Sequence, residues 1–68
     1  MSKTKVQIIA YKNGIPVGYI KSVSYSRKKF YLTQNKQEAK GYTSYDHLQD
    51  EIDKLTMIGH SMGYIFGY

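Results

Sequence analysis

The stretch KVQIIAYK, residues 5–12, alternates Val6, Ile8 and Ala10 with Gln7, Ile9 and Tyr11, which is the period of a strand with one buried face. Asn13-Gly14 follows at once. Both central positions of a type I′ turn need positive φ, so this pair predicts a tight hairpin leading into a second strand over residues 15–25. A two-residue turn pairs Lys12 with Ile15, Tyr11 with Pro16, Ala10 with Val17 and Ile8 with Tyr19. The stretch YSRKKFYL, residues 25–32, then reverses the chain a second time at its three consecutive cations. For a loop of either two or four residues, Tyr25 falls opposite Phe30 and Val23 opposite Leu32. One face of the meander therefore holds Val6, Ile8, Ala10, Val17, Tyr19, Val23, Tyr25, Phe30 and Leu32. Lys21 falls on the same face, so it either reaches out at the sheet edge or marks a β-bulge.

A polar link over residues 34–41 leads to Ser44, a good helix N-cap, with Thr43 as the alternative. Tyr45, Leu48, Ile52 and Leu55 recur at spacings of three and four and predict an amphipathic helix ending near Ile58, with Gly59 as its C-terminal glycine. Residues 63–68, GYIFGY, read as a short last strand beside the first. A right-handed crossover through the helix predicts that it runs parallel to that strand. The expected fold class is α+β in the order β-β-β-α-β: an antiparallel three-stranded meander plus a C-terminal strand, with one helix on one face. Residues 1–68 form a single domain.

The segment FYLTQNKQEAKGYTSYDHLQDEIDKL, residues 30–55, resembles a pattern found in small uncharacterised phage and prophage proteins: an aromatic-Leu-Thr strand, a link ending Ala-Lys, an aromatic, a Ser/Thr cap and an Ile/Leu-spaced helix. Its second part, KGYTSYDHLQDEIDKL, is also similar to the joint between sheet and helix in the amino-terminal DNA-binding domains of phage and transposon integrases. The resemblance implies three antiparallel strands before a helix, and a free sheet face that enters the major groove. The C-terminal strand departs from the integrase pattern, and nothing of a recombinase catalytic domain is present.

Charge sharpens this picture. The net charge is +5, yet residues 1–37 carry eight cations and no carboxylate, while all five acids, Glu38, Asp46, Asp50, Glu51 and Asp53, fall within sixteen residues. The first half attracts polyanions and the second does not. Asp46 near the helix start suits the helix dipole, which is the ordinary structural reason for an acid there. There is no cysteine, which removes disulfides and thiolate metal sites and fits a reducing compartment. The first apolar run is too short for a signal-peptide core or a membrane span, so the expected location is the cytoplasm of a host cell. A chain of this length buries only roughly 60% of its unfolded surface, so association with a partner or a second copy would help it.

Two motifs suggest chemistry and lose the suggestion in context. Gly59-His60-Ser61-Met62-Gly63 is a literal G-x-S-x-G, but a nucleophile elbow needs a strand before it, a helix after it, and an acid and a histidine further on. Here the order is reversed and five residues remain. His47 and Glu51 stand four apart on the helix without a third ligand, which reads as a solvent-exposed pair rather than a metal site. No catalytic residue, metal or cofactor is expected, and the chain is read as a non-enzymatic binding module.

The free sheet face carries the better expectation. The register gives it Lys5, Gln7, Ile9, Tyr11, Ile20, Ser22, Ser24, Lys29, Tyr31 and Thr33, with Lys12, Arg27 and Lys28 at the turns. Arg27, Lys28, Lys29 and Lys12 are expected to contact phosphates, and Tyr31 and Tyr11 to stack on or wedge between bases of DNA or RNA. The alternative uses Ile9, Tyr11, Ile20 and Tyr31 as an apolar contact for a host protein, in the manner of a phage inhibitor or adaptor, or for a homodimer. An edge strand offers a further route.

Overall fold

The computed structural model describes residues 5–68. Six strands and one helix make an α+β domain: β1 (Val6–Gln7), β2 (Ile9–Lys12), β3 (Ile15–Ser24), β4 (Lys29–Thr33), β5 (Gly41–Tyr42), α1 (Tyr45–Gly59) and β6 (Tyr64–Gly67). Short 3₁₀ turns occupy Lys36–Glu38 and His60–Met62. The main sheet is antiparallel in the order β4-β3-β2-β6, and β1 pairs with β5 in a separate two-stranded ladder.

The first hairpin forms as its turn residues dictate. Asn13 and Gly14 both take positive φ, 56° and 79°, and Lys12 pairs with Ile15 and Tyr11 with Pro16. Beyond that the register departs from simple alternation. Ala10 pairs with Gly18 rather than Val17, and Ile9 with Tyr19, so Val17 is the extra residue of a bulge. A one-residue insertion exchanges the two faces for every residue that follows. A second irregularity between Ile20 and Ser22 takes out Lys21 and restores the original parity, giving Ile20 opposite Leu32 and Val23 opposite Phe30. The second turn is accordingly four residues, 25–28, closed by Lys28 N donating to Tyr25 O at 3.2 Å, and Ser24 faces Lys29. Tyr25 thus belongs to the turn and is not paired with Phe30.

The expected parallel last strand is corrected to antiparallel: β6 runs against β2, with Lys12 opposite Tyr64 and Ala10 opposite Phe66. The cause lies in the polar link. Gly41–Tyr42 pairs with β1, Val6 opposite Tyr42, and this extra pass reverses the chain before the helix begins. The single first strand expected from alternation is correspondingly broken at Ile8, where β1 leaves for β5 and the Ile8 carbonyl accepts from Ile20 N at 2.9 Å.

Helix α1 starts after Ser44, whose carbonyl accepts from Leu48 N at 3.0 Å, although its side chain makes no cap bond. The left-handed glycine after the helix is Gly63, φ 85°, beyond the 3₁₀ turn, and not Gly59. Gly59 matters for packing instead. A Cβ there would lie 3.1 Å from Tyr64 Cβ and 3.2 Å from the Phe66 ring, so its smallness admits β6 against the helix.

Ile8, Ala10, Ile20, Leu48, Ile52, Leu55, Tyr42 and Phe66 make the core, with Val6, Val17, Val23, Phe30, Leu32 and Tyr64 packed around it. Phe30 meets Tyr64 and Phe66 edge-to-face, at 5.0 and 5.2 Å between centroids, so rings from both edge strands close over the helix side. The helix therefore covers one face of the sheet. The other face is left to solvent.

Candidate binding surfaces

Register decides which side chains share the open face. Ile9 lies opposite Tyr19 and Gly67, Tyr19 opposite Thr33, Tyr11 opposite Ile65 and Pro16, and Tyr31 opposite Ser22. Directly paired residues point to the same side of a sheet. Tyr11, Tyr19 and Tyr31 therefore stand on one face with Ile9, Ile65, Thr33 and Lys29. Tyr31 is 47% exposed and Ile65 65% exposed, whereas Ile9, Tyr11 and Tyr19 are half-buried against one another. Ile9, Tyr11, Pro16, Gly18, Tyr19 and Gln34 line an open groove of about 270 Å³. The Gln34 amide donates to the Val17 carbonyl at 2.6 Å and so seals the bulge at the groove's margin.

Two expected site residues are corrected. Ile20 is not on this face: it is 0% exposed in the core, because the Val17 bulge turns it inward and brings Tyr19 out in its place. Lys12 alternates with Tyr11 and so lies on the helix side, its ammonium 5.3 Å over the Tyr64 ring. Tyr19 is the residue that sequence reasoning missed. The available signal was Gly18, since a glycine inside a strand pattern marks a bulge or a close backbone approach. A side chain there would sit 3.1 Å from the Thr33 carbonyl oxygen.

The three consecutive cations also separate. Lys29 shares the register of Tyr31 on the open face but also borders a depression with Phe30 and Met62, Arg27 is exposed at the tip, and Lys28 turns toward the helix, where it lines a depression with Lys54 and Met57. Among the described residues the ion pairs are Lys40 to Glu51 at 3.4 Å and Lys54 to Asp50 at 3.0 Å, neither of which uses a cation of the tip. All five acids lie on the link or on α1, so the open face carries none.

The acids have structural occupations. Glu51, read from sequence as one of a solvent-exposed pair with His47, is instead buried, its carboxylate directed at Lys40. Beside it the Tyr42 hydroxyl is buried without a hydrogen-bond partner, and burial first, then the charge of Glu51, push its pKa well above the ordinary tyrosine value. Tyr25 is raised likewise, by burial and by Glu51. Gly59-His60-Ser61-Met62-Gly63 lies between helix and strand with Ser61 exposed, the reverse of a nucleophile elbow. Among the described residues no three His, Cys, Asp or Glu side chains gather as metal ligands, and no helix is long and apolar enough to cross a membrane.

Compared with family models, curated proteins and solved structures, the chain matches none of them.

Proposed function

We propose that the protein is a non-enzymatic binding module of a phage or mobile element that holds single-stranded nucleic acid on its open sheet face. The observation that carries this reading is the placement of Tyr11, Tyr19 and Tyr31 together on one face without a carboxylate. Every base offers a π-face, so tyrosines spaced across a sheet, Tyr31 exposed and Tyr11 and Tyr19 half-buried, form a stacking platform that tolerates any sequence. Lys29 on that face and Arg27 at the tip then meet phosphates, while the acids on the far side keep a polyanion in one orientation. The half-buried tyrosines hold their rings against Ile9 and Pro16, which limits the side-chain entropy lost on stacking.

The test is fluorescence anisotropy of a labelled oligothymidylate of about 20 nucleotides, titrated between about 50 and 200 mM salt. Affinity is expected to fall steeply with salt, and Tyr31→Ala or Tyr11→Ala to weaken it by about 1–3 kcal/mol each. Binding that ignores salt, or that survives loss of both rings, refutes the proposal.

A second reading rests on Ile65. It stands exposed next to Tyr11 and Ile9 on β6 and β2, an apolar strip without a flanking cation, which suits a protein partner better than a phosphate backbone. A host protein or a second copy docking there would lose affinity in Ile65→Lys, whereas nucleic-acid binding on the same face would be kept or strengthened by the added cation.

A further inference from the structure

The helix side carries a second surface with a different chemistry. Tyr25, Lys28, Lys54, Met57, Ile58 and Ser61 line an open depression of about 450 Å³ between the second turn and the end of α1. Arg27, Lys29, Phe30, Leu32, Met62 and Tyr64, with Lys28 again, line another of about 400 Å³. Lys28 is common to both. Met57 is 84% exposed and Met62 50%, and methionine adapts to varied apolar partners because its side chain is unbranched and polarizable. Among the described residues no carboxylate lines either depression; Arg27, Lys28 and Lys29 rim the second, while Lys54 at the first is already paired with Asp50 at 3.0 Å.

Lys28 itself is held in the left-handed region, φ 54°, where a glycine or asparagine would sit with less strain. The first turn of the sheet solves the same backbone problem with Asn13-Gly14. At the second turn the chain instead keeps a long cation, and that cation stands between two apolar depressions.

We propose that this surface docks an amphipathic protein segment whose apolar side chains enter the two depressions and whose carboxylates meet Arg27 and Lys28. Charge complementarity chooses the occupant, since the rim is cationic and the floor is methionine and aromatic. The concave shape favours inserted side chains over a membrane. A broad lipid surface would press its anionic head groups toward Asp50, which holds Lys54 at 3.0 Å, whereas a segment can place its carboxylates at Arg27 and Lys28 alone. This site meets the open face at Lys29 and shares none of its tyrosines, so Tyr31→Ala and Lys28→Gly test the two surfaces independently.

The experiment uses the whole chain and methyl NMR at Met57 and Met62. The probes are a synthetic helical peptide with Leu and Phe on one face and Glu on the other, its counterpart with Lys for Glu, and phosphatidylserine vesicles. The acidic peptide is expected to bind at least about tenfold tighter than the basic one and to shift both methyls. Lys28→Gly should weaken that binding while melting no lower than the parent, because glycine relieves the turn. Tyr31→Ala should leave it unchanged. Equal binding of the two peptides, shifts confined to the open sheet face, or binding of vesicles without the acidic peptide would each overturn the proposal.

Discussion

Replacing Ile20 tests the register on which both surfaces depend. Ile20→Ala removes three carbons from a side chain with no exposure, at about 0.8 kcal/mol each, or about 2.4 kcal/mol for transfer alone. The remaining cavity brings the cost to about 3–4 kcal/mol. A domain of this size has about 3–10 kcal/mol in all, so this variant stands near the limit of folding. Ile20→Val is gentler, costing about 1 kcal/mol and lowering the melting temperature by about 4–8 °C. Ile9→Val, on the open face, should stay within about 0.5 kcal/mol. Thermal and urea denaturation followed by circular dichroism measures the three variants beside the parent. If Ile9→Val melts earlier than Ile20→Val, the bulge at Val17 is misplaced and Ile20 returns to the free face.

Other consequences follow from single contacts. Because Lys21 is the extra residue of a bulge, deleting it leaves Ile20, Ser22 and Val23 in plain alternation opposite Leu32, Tyr31 and Phe30 and should still give a folded chain by circular dichroism, and Lys21→Ala, exposed and unpaired in the ladder, should melt like the parent. Gly59→Ala gains about 1 kcal/mol of helix propensity but forces Tyr64 and Phe66 away, so calorimetry should show a net loss of about 1–2 kcal/mol. The Tyr42 hydroxyl has a folded pKa above its ordinary 10.0, so the native state keeps a proton that the unfolded chain releases. Stability should hold below about pH 10 and decline as pH rises beyond it, and Tyr42→Phe should flatten that decline without loss at neutral pH.

Much of the architecture was written in local signals. Asn13-Gly14 marks a turn because few other pairs accept two positive φ values, and the helix is marked by Leu48, Ile52 and Leu55 on one stripe. The sheet was harder because alternation has no memory of an inserted residue. Val17 and Lys21 are each extra by one, their effects cancel by Val23, and only the short span between them is reversed. That span contains Tyr19 and Ile20. Gly18 hinted at the first irregularity and the misplaced Lys21 at the second, but only tertiary packing decides which residue is squeezed out. β5 was illegible for another reason: two residues have no periodicity, and Gly41–Tyr42 becomes a strand only because β1 is there to pair with it. Missing that pass also inverted β6.

The same reversal reshapes the candidate site. Arg27, Lys28 and Lys29 look like one patch in the sequence, yet a turn of four residues sends Lys29 to the open face and Lys28 to the helix side. Lys12 goes with Tyr64, and Tyr19 takes the place of Ile20. What remains on the open face is more aromatic and less basic than alternation implied. This favours stacking on exposed bases over entry into a duplex groove, since stacking uses ring faces and few cations.

Mapping oligothymidylate onto the folded chain by amide and aromatic chemical shifts is the sharpest check on this stacking platform. The largest changes are expected at Tyr11, Tyr19, Tyr31 and Lys29, with Met57 unmoved. Changes centred on the helix side, or none at low salt, would contradict it.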